Sequence, residues 1–239
     1  MGTRQRQARP AGATARGAAR DAYHHGDLRE ALLQAAETLL DEGGVRGLTL
    51  RACARRAGVS HAAPKHHFAD MSHLLSAVAA RGFVRLAEAL DQARQASAGT
   101  PQARFLAVAR TYVRFAELHP GLFRLMFRSD ALQRDDPELR DAAARTFAAM
   151  TSSVTVQRGE PDATPEDILQ FRPSEDLAQD ILIAWSHIHG FAQLLLEGQL
   201  EGFAGNQDRN AFIERMLDAT SNRVSAMLRG ERQATSRAR

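Results

Sequence analysis

Between Thr49 and Phe68 the chain reads TLRACARRAGVSHAAPKHHF, two short helix-forming runs hinged at Gly58. Thr49 can offer its hydroxyl to a backbone N–H that the first turn of LRACARRA leaves unpaired. Gly58 supplies the residue tolerant of positive φ where that run must stop. Ser60 is placed to cap a second run ending at about His67. Two short helices joined by a three-residue, glycine-led turn have helix-turn-helix geometry, in which the second helix enters the DNA major groove.

Pro64 interrupts the second run. A proline costs roughly 3 kcal/mol or more in a helix interior, because it removes a donor and clashes with the carbonyl four residues back. With Ser60 as cap it loses only the first regular bond, and with His61 as cap it loses none. At about 100° per residue, Pro64 and Phe68 share one side, expected to pack on Leu32, Ala54 and Val59. His61 with Lys65, and Ala62 with His66, form two rows on another side. Lys65 is the one lysine among thirty arginines.

A helix of about residues 28–42 precedes this pair. In GDLREALLQAAETLLDEGG, Asp27 and Glu30 resemble a capping box, and Leu28, Leu32, Ala35, Ala36 and Leu39 form one stripe that Gly43 and Gly44 bring to an end. Residues 1–22 hold five arginines and almost no large apolar side chain, so a disordered basic arm is expected.

Charge is divided along the chain. Residues 1–82 carry 12 Arg or Lys against 7 Asp or Glu, a net +5, and residues 83–239 carry 19 against 21, a net −2. A basic front points to a polyanion at that end. Beyond it the apolar spacing stays helical, and an all-α chain is predicted. Leu75, Val78, Gly82, Leu86 and Leu90 mark one helix, and Phe105, Val108, Tyr112 and Phe115 the next, ended by His119 and Pro120. A short helical stretch around Leu122, Leu125 and Met126 follows. Another helix opens at Pro137, a loop covers Gly159 to Pro173, and two last helices span roughly 174–200 and 207–230. Leu177, Ile181, Ala184, Ile188, Phe191 and Leu195 form a seam on the first of these, and Phe212, Met216 and Met227 lie along a similar seam on the second. Such seams suit core packing or a four-helix contact between two subunits, and the expectation here is a dimer interface.

Several function classes fall away. Apolar runs such as ILIAW end far short of the roughly 20 residues of a membrane span, and the arginine-rich start lacks a secretory signal's apolar core, so a cytoplasmic protein is expected. Cys53 is alone and sits in an apolar-periodic run, which reads as core. His66 and His67 diverge by about 100° on a helix, and His187 and His189 by about 200°, with no HExxH, so no metal is expected. No phosphate loop, nucleophile elbow or paired carboxylates suggest an enzyme or a cofactor.

The stretch HHGDLREALLQAAETLLDEGGVRGLTLRACARRAGVSHAAPKHHFADMSHLLSAVAARGF resembles the N-terminal domain of TetR-family transcriptional regulators, matching in order the first helix, the double glycine, LTLR, AGVS, Phe68 and the Leu74–Leu75 pair. Further on, LHPGLFRLMF with Trp185, His189 and Gly190 resembles the effector domain named for its Trp, His and Gly. The resemblance implies a homodimer on a near-palindromic double-stranded DNA operator, acting as a repressor whose operator affinity falls when a small molecule binds the larger domain. The implied organisation is a basic arm (1–22), a three-helix DNA-binding domain (23–82), a helical effector and dimerisation domain (83–230) and a flexible tail (231–239). A helical interaction protein that binds a protein partner without specific operator binding is the competing reading.

On this reading the DNA-contacting residues are Thr49, Arg51, Ser60, His61, Ala62, Lys65, His66, His67 and His25, with Tyr23 and His24 nearby. Lys65 stands where many relatives have a tyrosine, and Met71 where many have a lysine, so Lys65 is expected to take over part of the phosphate anchoring or to reach the O6 and N7 acceptors of guanine. The effector pocket draws on Phe105, Tyr112, Phe115, Phe123, Met126, Phe127, Phe147, Met150, Trp185 and His189. No arginine or carboxylate recurs on those faces, which favours an apolar or neutral effector.

Overall fold

The computed structural model describes residues 15–97, 99–128, 130–160 and 173–236, and every regular element among them is helical. α1 spans Ala15–Gly43. It begins thirteen residues before the expected start, and Asp27 lies inside it. Alanine and arginine between Ala15 and Ala22 are strong helix formers, so the helix propagates through the supposed cap, and residues 15–22 of the expected arm lie within α1. Residues 1–14 lie outside the described region. Glu30 spans to another helix instead, 2.9 Å from the Arg81 guanidinium.

Gly44, at φ +65°, ends α1 and leads through a 3₁₀ turn, Val45–Gly47, to α2, Leu50–Arg56. The Thr49 hydroxyl accepts the Ala52 N–H at 3.0 Å, as its position predicts. Gly58, at φ +69°, closes α2 as the left-handed residue of a Schellman turn, with the Val59 N–H donating to the Ala54 carbonyl at 3.0 Å. The second run then departs from expectation. It is a 3₁₀ turn, Ala63–His66, with Ala62 at its N-cap position and no side-chain cap. The Ala63, Lys65 and His67 N–H groups donate to the carbonyls of Ser60, Ala62 and Pro64, a spacing of three. Pro64 has no N–H for an α-helical bond, and in so short a run the tighter turn satisfies the remaining donors.

α3, Met71–Ala96, is capped by Asp70 and runs unbroken past Gly82, so the expected boundary at 82 lies inside a helix. α4 (Pro101–Leu118), α5 (Pro120–Met126) and α6 (Pro137–Gln157) each open on a proline, which forfeits only an N–H that a first turn leaves unpaired. α7 spans Glu175–Leu196, α8 Glu201–Ala204 and α9 Arg209–Ser236. α9 continues to Ser236, into the segment expected as a flexible tail, since an isolated Gly230 costs only about 1 kcal/mol and its neighbours favour helix. The loop expected across Gly159 to Pro173 falls largely outside the described residues.

α3 packs along α6 and α4, while α7 and α9 cover the far side of α4. One apolar core runs from Leu32 and Phe68 in the front helices through Leu74, Leu86, Tyr112 and Phe123 to Leu217. A smaller core joins Phe105, Val154, Leu177, Ile181, Ala184, Val224 and Leu228. Each fully buried leucine or aromatic contributes roughly 1.5–3 kcal/mol. Cys53 is buried there, and burial pushes its thiol pKa up.

The seam expected at a dimer interface is part of this interior. Leu177, Ile181, Ala184, Ile188, Phe191, Leu195 and Phe212 are all buried within one chain, and Met216 is half-buried. α4 and α6 cover them. Their spacing marks an apolar face without saying which helix lies on it. The outward faces carry Leu182 and Leu194, 58% and 45% exposed, together with Met227 of the expected seam, which is 40% exposed.

Candidate DNA-contacting surface and ligand cavity

Thr49, Arg51, Ser60, His61, Ala62, Lys65 and His66 are exposed, whereas Pro64 and Phe68 are buried as their side of the turn predicts. His67 is half-buried. His25 lies in α1 with Tyr23 and His24, outside the residues whose side chains are described. Between α2 and the 3₁₀ turn, Leu48, Thr49, Leu50, Arg51, His61, Ala62, Lys65 and Met71 line an open hollow of about 560 Å³. Thr49 holds the start of α2, and the buried Pro64 and Phe68 fix the turn, so Arg51 and Lys65 are presented from two anchored backbones.

The charges around the hollow divide cleanly. Arg56 donates to both carboxylate oxygens of Glu42, and this pairing lowers the Glu42 pKa. Among the described residues, Arg51, Arg55 and Lys65 make no ion pair, so three cations remain for an outside anion. Met71 borders the hollow without a charge, leaving Lys65 as its one ammonium.

In the body, the expected pocket residues divide into two groups. Tyr112, Phe123, Phe127, Trp185 and His189 form an aromatic cluster. The Tyr112 hydroxyl lies 2.9 Å from His189 Nδ1, and Gln193 reaches His189 Nε2 at 3.3 Å. Phe123 stacks on the imidazole at 5.5 Å, and Phe127 meets its edge at 4.5 Å. Burial pushes the Tyr112 pKa up and the His189 pKa down. Both rings are held neutral and paired, as members of the core.

A separate cavity of about 30 Å³ lies beside this cluster, between α4, α6 and α7. Phe105, Tyr112, Phe147, Met150 and Trp185 line it as expected, while Phe115, Phe123, Met126, Phe127 and His189 do not. Phe115 instead faces His119 at 5.0 Å, and Met126 packs on Gly82. The residues missed are Val108, Ala109, Thr151, Ser153, Val154, Ile181, Ala184, His187 and Ile188. All of these but Ser153 and His187 lie on three stripes: 105, 108, 109 and 112; 147, 150, 151 and 154; and 181, 184, 185 and 188. Helical spacing identified such faces but not that three of them converge.

A short helix links the two regions. α5 lies so close to α1 that a Cβ on Gly121 would stand 2.6 Å from the Leu40 carbonyl oxygen. On the α3 side, a Cβ on Gly82 would stand 2.7 Å from Met126 Sδ. Arg81 and Arg85 both pair with Glu37 of α1, and Arg29 reaches Glu138 of α6 at 3.1 Å.

The description "Bacterial regulatory proteins, tetR family" matches residues 32–78, and "Tetracyclin repressor-like, C-terminal domain" matches residues 105–220. The chain belongs to the TetR family. An uncharacterized HTH-type transcriptional regulator of Mycobacterium tuberculosis is 28% identical over 176 residues, 72% of each chain. A protein of unknown function from Rhodococcus sp. RHA1 is 34% identical with a TM-score of 0.67, covering 85% of this chain and 96% of that one. A TetR-family transcriptional regulator from Streptomyces coelicolor shares the fold, with 24% identity and a TM-score of 0.52 over 82% of this chain and 99% of its own. As a TetR-family member the chain is a DNA-binding transcriptional regulator and not an enzyme. Among the described residues of this TetR-family chain, no group of three His, Cys, Asp or Glu is placed to hold a metal ion, and no helix is long and apolar enough to cross a membrane.

Proposed function

We propose that the chain is a homodimeric repressor whose operator affinity falls when a small molecule occupies the α4–α6–α7 cavity. The observation that carries this reading is the pairing of two surfaces in one chain. At one end lies a hollow with unpaired cations, suited to phosphates and base edges. At the other lies a small apolar cavity, with α5 between the cavity's aromatic neighbours and the end of α1. A ligand needs more than about 30 Å³, so entry must displace wall side chains such as Phe147 or Met150. That displacement passes to Trp185 and on to the Tyr112–His189–Phe123 cluster above α5.

The dimer is proposed to form through the outer faces of α7 and α9, where Leu182, Leu194 and Met227 leave apolar surface exposed. Ser186 and Gly190 lie between the two leucines along α7 and permit close approach of a second helix.

Fluorescence anisotropy on DNA from upstream of the chain's own coding sequence tests the regulator reading. Binding that survives excess random DNA supports it. Binding that random DNA removes at the same concentration overturns it in favour of a partner-binding protein.

A further inference from the structure

The small cavity in the body contains a polar feature that its apolar wall does not use. Thr151 on α6 is fully buried, and its hydroxyl has no hydrogen-bond partner. His187 Nε2 and Trp185 Nε1, both on α7, are likewise buried without a partner. The indole N–H is turned toward the Tyr112 hydroxyl without closing a hydrogen bond to it. All three residues line the same cavity. Buried polar atoms left unsatisfied typically cost about 1–3 kcal/mol each, and three around one void require an explanation.

The surrounding chemistry limits what can satisfy them. Phe105, Val108, Phe147, Val154, Ile181 and Ile188 supply an apolar wall without a charged side chain. Burial pushes the His187 pKa down, so the ring is neutral. No charged side chain lines the cavity, and Arg158 and Asp180 at its α6 and α7 ends pair with each other. An ionised ligand would therefore leave water without a counterion. Thr151 can donate or accept, the indole can only donate, and neutral imidazole can do either at Nε2 according to its tautomer.

The geometry points to a neutral, mainly apolar ligand carrying one hydroxyl or carbonyl oxygen, held between Thr151 and His187 with Trp185 as a further donor. This assignment rests on the cavity being the effector site. It adds the ligand class, and adds Thr151 and His187 to the expected Trp185.

Trp185 is the chain's one tryptophan, so its emission reports occupancy of the cavity directly. The full chain, without DNA, is titrated with 2-heptanol, 2-heptanone, heptanoate and heptylamine, following emission and Tm. The alcohol and ketone should saturate an emission shift and raise Tm, with the two ions at least about tenfold weaker. Thr151→Val should weaken the alcohol about tenfold, the loss of one buried hydrogen bond, and Thr151→Ser should restore it. His187→Phe should weaken it similarly. Heptanoate or heptylamine binding as tightly as the neutral probes would overturn the assignment. So would an affinity for 2-heptanol that neither Thr151→Val nor His187→Phe changes, or no response to any of the four. The effector reading is tested separately, by adding a bound probe to the operator complex. A probe that saturates the Trp185 signal yet leaves operator affinity unchanged refutes that reading while leaving the ligand class standing.

Discussion

Tyr112 on α4 and His189 on α7 share a 2.9 Å hydrogen bond inside a shell of Phe123, Phe127 and Trp185, tying together two of the three helices that bound the apolar cavity. Tyr112→Phe removes the hydroxyl and leaves His189 Nδ1 without its partner. Destabilisation of about 1–2 kcal/mol is expected in urea unfolding, with the native helix content retained. A change below about 0.3 kcal/mol would show that the bond contributes nothing net.

The pH dependence of stability should follow the two half-buried histidines, His187 and His189. Burial holds the pKa values of His187 and His189 below the ordinary imidazole value in the folded state, while the unfolded chain takes protons near pH 6.5. The unfolded state then binds more protons as pH falls, so the stabilising contribution is complete above about pH 6.5 and is lost as pH drops toward the folded values. Urea midpoints between pH 8 and pH 5 should decline below pH 6.5, and His187→Gln should flatten part of that slope.

Lys65→Ala removes the one ammonium of the candidate DNA-contacting surface. Operator affinity should fall on every DNA sequence, and the slope of log affinity against log salt should shrink by about one unit. An unchanged salt titration would remove Lys65 from the phosphate contacts.

Residues on the two sides of α7 should respond in opposite ways. Leu182→Asp combined with Leu194→Asp acts on exposed positions, so the chain should stay folded, elute as a monomer with multi-angle light scattering, and lose cooperative operator binding. Leu177→Asp buries a charge in the chain's own core and should destabilise it by about 3 kcal/mol or more. A dimer that survives the double substitution would place the interface elsewhere.

Much of this was legible in the sequence, because helical period reports which face is apolar. The stripes of α3 and α4, the Thr49 cap and the inward side of Pro64 and Phe68 all follow from spacing and local hydrogen-bond chemistry. What covers an apolar face does not follow. Ile181, Ala184 and Ile188 suited a partner subunit as well as an internal cavity, and only the packing of α4 and α6 against them decides between the two. Helix ends were obscured where two local signals competed. Asp27 looks like a cap, yet the alanine-rich run before it carries the helix onward, and Ser60 looks like a cap where Pro64 enforces a 3₁₀ turn.

Gly121→Ala and Gly82→Ala should differ although both add one methyl. The first meets the Leu40 carbonyl, which belongs to backbone, and should cost about 1–3 kcal/mol. The second meets the flexible end of Met126, which can turn aside, so its cost should be smaller and be relieved by Met126→Ala. Thermal melts of the three variants separate these outcomes.

The Leu40 oxygen that Gly121 approaches also accepts the Gly44 N–H at 2.8 Å, the bond that closes α1 just before the chain turns toward Thr49. At this point α5 therefore meets the end of α1 main chain to main chain. Neighbouring side chains can drift without altering the contact, provided position 121 stays bare. Comparing side chains between relatives would pass over this joint, because what it preserves is the absence of one.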